Sequence, residues 1–567
     1  MVLFGTNIFL FVKKICLTIP LVIIFMLSLI SFAFDQNNNQ IIVENVSNDL
    51  IMELPWGMNA HLTFPKTKDH VNELCRSMQK AHVQMVRLDV YWWYDNMFLQ
   101  QDLCDRAVYY ANKYNLEVLL NFPQLPNRTD TAFVRDWLDM IISYANRYDG
   151  KHAIKIEGER EIRYPKVRYF EVLNEVELNS KKKNLSVADV FMLIKNSSET
   201  LHNMSLVDKP VVLYPGISPF NEFAKNLIQY QENGKTLFDY VDILNLHLYP
   251  NNTEDFIYIM ELWKKRIKEF NYEAKPLWIT ELGNTLWDVS EKKQAYNLFK
   301  QYILSMSYGI ERIFYYQYHS FGGNYFNDKH QKEEFYGIIE NSNSKSFISF
   351  LENDGIFQTA ISEGDGLGKI FIADSLKASL YTITDKMCKK LKEKGVAVGG
   401  KGFTINKISI KSSTGNEHIL WEGNWPVSNQ NSPLQIPCKM FKNISSKDIL
   451  LAYISNVKGF DEWQGVKPLL AYYTYQYLSS ILNEGSTRPV IEKKSNGLYI
   501  AYWRYKGAYY YAIWNDKNNC ETITIDDKSN VLLFQCNGKR MQLKTKCIHI
   551  GNSPVILESK VRMLKFI

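Results

Sequence analysis

The chain has 567 residues, enough for about three to five domains at roughly 100–200 residues each. A hydrophobic fraction of 46% and a charged fraction of 22% belong to folded globular proteins and exclude wholesale disorder. The formal charge of +6 arises from 66 basic and 60 acidic residues spread along the chain, without the concentrated basic face that a nucleic-acid partner requires.

Residues 15–34, ICLTIPLVIIFMLSLISFAF, form an uncharged apolar run preceded by Lys13 and Lys14. With Ser31 and Ala33 at small-residue spacing, this is the layout of a secretory signal cleaved after Ala33. About 20 apolar residues also suffice to span a bilayer, so an uncleaved membrane tether is the alternative for 1–33. Either way the chain is expected to be exported, to the periplasm, the cell surface or the medium. The Asn-rich stretch that follows makes 34–50 a linker. The eight Cys include no CxxC and no Cys/His cluster at zinc spacing, so thiolate metal ligation is not expected. Cys520, Cys536 and Cys547 are close enough in sequence to pair, but buried thiols are the default.

From residue 56 onward, β-branched and aromatic runs alternate with longer helical stretches. The strands are expected at WGMNAHL (56–62), QMVRLDV (84–90), LEVLLNF (116–122), VRYFEVLN (167–174), PVVLYPG (210–216), VDILNLHLY (241–249), KPLWITE (275–281) and RIFYYQYH (312–319). Amphipathic segments such as HVNELCRSMQKAH and TEDFIYIMELWKKRIKEF separate them. Near-continuous apolar strands suit a parallel sheet covered on both faces. Eight strand–helix units point to a closed (β/α)8 barrel over an open doubly wound sheet, because no Gly-rich fingerprint follows the first strand.

After the eighth strand, 341–464 turns Gly-, Ser- and Asn-rich with short alternating runs, the texture of a β sandwich. VKPLLAYYTYQYLSSIL (466–482) then reads as the missing last barrel helix. The expected organisation is therefore an α/β TIM barrel over 51–340 and 465–483, an inserted β-sandwich over 341–464, and a C-terminal β-sandwich domain over 484–567.

In such a barrel, reactive groups sit at the carboxyl ends of strands. Those ends carry His61, Arg87 and Asp89, Asn174 and Glu175, His247 and Tyr249, Glu281, and Tyr318 with His319. Glu175 and Glu281 stand on strands four and seven, across the barrel from one another. Two carboxyls aimed inward from there can flank one bond, and about 5–5.5 Å between them is what double displacement at a sugar needs.

The motifs resemble those of glycoside hydrolase clan A, the "4/7" retaining glycosidases. EVLNEVE (171–177) resembles the strand-four Asn-Glu signature and LWITELGN (277–284) the strand-seven nucleophile motif. GMNAHL, VRLDVYW, LNLHLYP and FYYQYHSFG follow the same order, closest in flavour to the family 39-like β-xylosidase and α-L-iduronidase branch. A departure from the clan's commoner pattern is the lack of a Trp in FYYQYHS. The resemblance implies that Glu175 is the acid/base and Glu281 the nucleophile, acting on a poly- or oligosaccharide. It implies Asn174 at the sugar 2-hydroxyl, Arg87 near Glu281, and His247 and Tyr249 orienting Glu281 or the sugar. His61 is a subsite residue or a structural hydrogen-bonder. Trp92, Trp287 and Tyr318 are candidates for stacking. No metal or cofactor is implied. Two segments, 383–411 and 419–441, resemble the closing and opening halves of β-sandwich carbohydrate-binding modules in reversed order, leaving glycan binding and a spacer role both open. The alternatives are an inactive glycan-binding surface protein on the same fold, and a metal-dependent barrel hydrolase using the carboxylates and His247.

Overall fold

The computed structural model describes residues 50–51, 55–64, 67–91, 97–125, 129–217, 221–286, 289–320, 336–341, 465–516, 521–524, 531–543 and 547–560, with six strands between 348 and 455. The apolar runs form eight parallel strands: β1 (Trp56–Asn59), β2 (Met85–Asp89), β3 (Glu117–Phe122), β4 (Tyr169–Val172), β5 (Val211–Leu213), β6 (Leu244–Leu248), β7 (Leu277–Leu282) and β8 (Arg312–Tyr315). Their order in the sheet is β5-β4-β3-β2-β1-β8-β7-β6. Parallel bridges Leu213–Ile243 and Ile217–Leu246 join the two ends, so the sheet closes into a TIM barrel.

Helices α1 (Lys68–Lys80), α2 (Met97–Lys113), α3 (Thr131–Arg147), α4 (Val176–Lys183), α5 (Val187–His202), α6 (Glu222–Gln229), α7 (Thr253–Glu269) and α8 (Glu291–Ser307) lie between the strands in sequence. Their starts are set by side chains that accept from orphan backbone N–H groups: Thr67 for α1, Asp130 for α3, and a Ser186–Asp189 capping box for α5. Among the described residues no helix is long and apolar enough to cross a membrane. The apolar run at 15–34 lies outside the described residues.

The barrel interior is layered. At the end where the strands begin, Met85, Leu119, Tyr169, Ile243, Trp278 and Phe314 form an apolar plug. Toward the other end the buried side chains turn polar: Asn59, Arg87, Asn121, Glu171, Asn245 and Thr280 are all within 2% of complete burial. A buried polar layer is stable only if its members satisfy one another. That requirement organises the site.

Beyond β8 the chain leaves through β9 (Ile339–Asn341). It then forms β10 (Ile348–Leu351), β11 (Phe357–Ile361), β12 (Leu367–Ile372), β13 (Thr404–Lys411), β14 (Glu417–Pro426) and β15 (Ile449–Ser455). These six make one sheet, mostly antiparallel, and a second sandwich layer is not among the described residues. The chain returns through β16 (Val466–Pro468), which pairs antiparallel with β9. This shortens the helix expected over 466–482. Residues 466–468 find ladder partners instead, and Pro468, with no N–H, disfavours helix before it. Helix α9 (Leu470–Ile481) follows and packs on the barrel, where Tyr475 donates to the Gly57 carbonyl and meets the Trp56 ring edge-on.

The C-terminal residues form β17 (Val490–Lys493), β18 (Leu498–Tyr505), β19 (Ala508–Asn515), β20 (Glu521–Thr524), β21 (Val531–Gln535), β22 (Arg540–Met541), β23 (Cys547–Ile550) and β24 (Val555–Ser559). Six of them make one sheet, and the β20–β23 pair covers it through Ile523, Ile548 and Ile550. Cys75, Cys104 and Cys536 are buried thiols, and Cys520 lies outside the described residues.

Candidate active site

The polar layer is built around Arg87 on β2, whose side chain is 1% exposed. Its Nε and Nη2 grip Glu171 of β4 at 2.7 and 3.1 Å, the two-pronged arrangement in which a guanidinium binds a carboxylate best. Nη1 reaches Glu281 at 2.9 Å and Asn59 at 3.1 Å, and Nη2 also donates to Asn174 at 2.5 Å. Burial alone would weaken this cation, but Glu171, Glu281 and Asp89 surround it and raise its pKa well above the ordinary value.

Glu171, fully buried, is the anchor of the layer. Besides Arg87 it accepts from Asn245 at 2.9 Å, Thr280 at 3.3 Å and the Gly216 amide at 3.3 Å. Burial pushes its pKa up, yet Arg87 and the hydrogen bonds around it outweigh that, and the net shift is downward. It is an ionised fixture of the core.

Glu175 and Glu281 converge above it. Residue 175 follows a backbone turn in which Leu173 (φ 66°) and Glu175 (φ 43°) both adopt the left-handed region, uncommon for side chains with a Cβ and concentrated at functional sites. The Glu175 amide is fastened to the Gly216 carbonyl at 3.0 Å. Glu281, near the end of β7, receives Arg87 on Oε1 and the Tyr249 hydroxyl on Oε2 at 2.5 Å. His247 lies between the two carboxylates, with Nδ1 3.1 Å from Glu175 and 3.5 Å from Glu281 and Nε2 3.0 Å from Thr280. One oxygen of each glutamate and one nitrogen of His247 lie within 4.8 Å of one another.

The charges interact strongly. Burial opposes a charged His247, but Glu281, Glu171 and Glu175 overcome it and raise its pKa to about 10. Burial raises the pKa of Glu281 against the pull of His247; the Glu175 charge adds to the rise, and Arg87 and Tyr249 oppose it. His61, in the left-handed region at φ 44°, holds Asp89 through Nδ1 at 3.0 Å. Burial would raise Asp89, yet His61, Arg87 and Asn121 bring it down to about 2. Gly216 makes room for all this. A Cβ there would stand 1.9 Å from His247 Nε2, so the imidazole can occupy its place only over a glycine.

The structure thus brings together Arg87, Asn174, Glu175, His247, Tyr249 and Glu281, with His61 joined to the group through Asp89. Trp92 and Trp287 lie outside the described residues. Tyr318 is a correction. It is fully buried and donates to Ser77 on α1, so it packs between barrel and helices and offers no stacking face. The aromatic beside the site at the end of β8 is Tyr316, in the FYYQYHS segment that lacks a Trp. It meets Tyr249, Tyr336 and His61 edge-on at 5.3–6.3 Å between ring centres. Sequence reasoning also passed over Glu171. The available signal was an acid in the middle of an apolar parallel strand, which must be paired to be buried there.

Residues 76–345 match a family model described as the glycosyl hydrolase catalytic core. No curated protein is matched by the sequence. Among solved structures, the chain is similar in fold to a family 39 glycoside hydrolase from the gut symbiont Bacteroides cellulosilyticus WH2, with a TM-score of 0.52 at 14% identity over 90% of this chain and 81% of that one. Looser likenesses include a glucosidase from Croceicoccus marinus, with a TM-score of 0.46 at 9% identity over 90% and 96% of the two chains. Another is a GH30 endoxylanase from Clostridium papyrosolvens C71, with a TM-score of 0.44 at 10% identity over 90% and 97%.

Proposed function

We propose that this chain, a glycoside hydrolase by the catalytic core it carries, is exported and cleaves a poly- or oligosaccharide with retention of anomeric configuration. Glu281 is the nucleophile and Glu175 the general acid and base. The observation that carries this reading is the approach of one oxygen of each glutamate to within 4.8 Å, which matches the roughly 5–5.5 Å spacing of retaining pairs rather than the roughly 6.5–9.5 Å of inverting ones.

The division of roles follows from the partners. Both oxygens of Glu281 accept from donors, Arg87 and the Tyr249 hydroxyl, and these two favour its ionised form against the effect of burial. That carboxylate is held ready to attack. The Glu175 side chain is 26% exposed against 8% for Glu281, and so is the one able to exchange a proton with solvent. In the first step an oxygen of Glu281 bonds to the anomeric carbon while Glu175 protonates the departing oxygen. In the second, Glu175 takes a proton from water, which displaces Glu281. With its carbonyl occupied by Arg87, Asn174 has its amide nitrogen left to donate to the sugar 2-hydroxyl. Tyr249, 37% exposed as a residue, offers an aromatic surface for the sugar to rest on.

The deciding measurement is the configuration of the first-formed product, read by proton NMR on whichever of a panel of plant, host and bacterial glycans is cleaved. Inversion would overturn the assignment. The grouping of Glu175, His247 and Glu281 also has the composition of a cation site. A ligating imidazole must be neutral, so a cation there would have to displace the proton that the surrounding carboxylates favour on His247. Undiminished activity in a chelator supports the glycosidase over the metal-dependent rival. Loss of turnover in Glu281→Ala with binding retained separates it from a binding protein. The basic flank and apolar run at 13–34 support export, and N-terminal sequencing of the mature chain tests cleavage after Ala33.

A further inference from the structure

Tyr249 is followed at once by the turn into α7, and that turn is held from an unexpected quarter. The backbone N–H of Thr253, the first residue of α7, donates to Asp516 Oδ2 at 2.9 Å, and the Thr253 hydroxyl accepts from Trp514 Nε1 at 3.1 Å. Both partners sit at the end of β19, in the C-terminal domain. One residue further, Glu254 receives Lys493 at 2.6 Å and the Tyr499 hydroxyl, again from that domain.

The same carboxylate reaches α8. Asp516 Oδ1 takes Lys300 at 2.5 Å, a lysine 3% exposed that also donates to Asn552. Burial lowers the Lys300 pKa, and Asp516 is what opposes this. The next residue on α8, Gln301, donates to the Pro250 carbonyl at 3.3 Å and to Asn284 at 3.0 Å, while Asn284 donates to the same carbonyl at 3.2 Å. Residues 250 and 253 are therefore fixed on both sides, and the hydroxyl that meets Glu281 stands on the residue just before.

We propose that the C-terminal domain is a working part of the catalytic centre, with Asp516 a positioning residue that, through the first turn of α7 and through Lys300, sets the Tyr249 hydroxyl on Glu281. The inference rests on the reading of Glu281 as nucleophile. A carboxylate at a helix N-terminus satisfies an orphan N–H and opposes the positive end of the helix dipole. Without it, the turn is released at one end and Lys300 is left buried opposite no charge, a loss that breaking a buried pair makes severe. A hydroxyl displaced by about 1 Å no longer serves the carboxylate it supports.

The test compares Asp516→Ala, Tyr249→Phe and the double variant in the full chain, on the aryl glycoside that the unaltered enzyme cleaves fastest. Asp516→Ala should lose roughly tenfold in kcat/KM. Its acidic limb should rise by about half a pH unit, because Tyr249 holds Glu281 in its ionised form. Tyr249→Phe should move that limb the same way, and adding Asp516→Ala to it should move it no further. Arg488→Met, which removes donation to the Met306 and Ile310 carbonyls elsewhere on the interface between the C-terminal domain and the barrel, should lower the melting temperature and leave the limb in place. Amide exchange read by mass spectrometry gives a second measure that needs no substrate. The peptide containing Thr253 should exchange faster in Asp516→Ala than in Arg488→Met. Additive limb shifts, or a limb and exchange unchanged by Asp516→Ala while Tyr249→Phe is impaired, overturn the proposal alone. Full activity in Glu281→Ala would instead overturn the underlying assignment of the nucleophile.

Discussion

Nη1 of Arg87 lies 2.9 Å from Oε1 of Glu281, and both side chains are almost wholly buried. This contact joins the buried polar layer to the carboxylate proposed as nucleophile, because the same guanidinium is clamped by Glu171 from the other side. Removing the clamp leaves Arg87 with a changed balance of partners. Glu171→Gln keeps the shape and removes the charge. It should cost about 3 kcal/mol or more in stability, and kcat should fall as Arg87 leaves its place. Chemical denaturation and turnover measured together check this; a variant unchanged in both would show that Glu171 anchors nothing.

Loss of the proposed acid and loss of the proposed nucleophile should look different. Glu175→Ala should retain far more activity on aryl glycosides with good leaving groups than on natural glycans, since those leaving groups need no proton. Glu281→Ala should fail on both, because no covalent intermediate forms. Equal losses on the two substrate kinds in Glu175→Ala would count against its role as acid.

His247 makes stability depend on pH in a defined direction. Its pKa is about 10 in the folded protein, against 6.5 ordinarily, so the folded state holds the proton more tightly. The stabilisation is complete below about pH 6.5 and is lost as pH rises through about 10. The melting temperature should therefore fall across that window, and less so in His247→Gln. Identical slopes for the two proteins would refute the charged imidazole.

Gly216→Ala tests the seat of that imidazole. The new methyl would overlap Nε2, so the ring must move, at a cost of about 1–3 kcal/mol. Because His247→Ala itself removes a stabilising charge, the clash should show as non-additivity: Gly216→Ala should destabilise a His247→Ala background much less than it destabilises the unaltered protein. If it costs the same in both backgrounds, the clash lies elsewhere.

Much of the barrel was legible because its strands are short apolar runs, and burial on both faces demands that composition wherever the chain folds. That Glu175 and Glu281 would meet was legible too, each ending such a run at the mouth of the barrel. Tyr318 misled for a related reason. Once the chain leaves the β8 ladder after Tyr315, alternation no longer says which ring faces the mouth, and it is Tyr316 that does so.

What local pattern could not supply is partnership. The acidity of Glu171 acquires meaning only from donors on β2, β6 and β7, and the room for His247 only from a missing side chain at Gly216. Asp516 stands at the end of a sheet whose own sequence says nothing about a helix turn in the barrel. The amino-acid order by itself determined which segments must be buried and which two acids end them. Closing the cylinder and docking the C-terminal sheet decided their charges and positions, because electrostatic contacts depend on distances that only the folded chain defines.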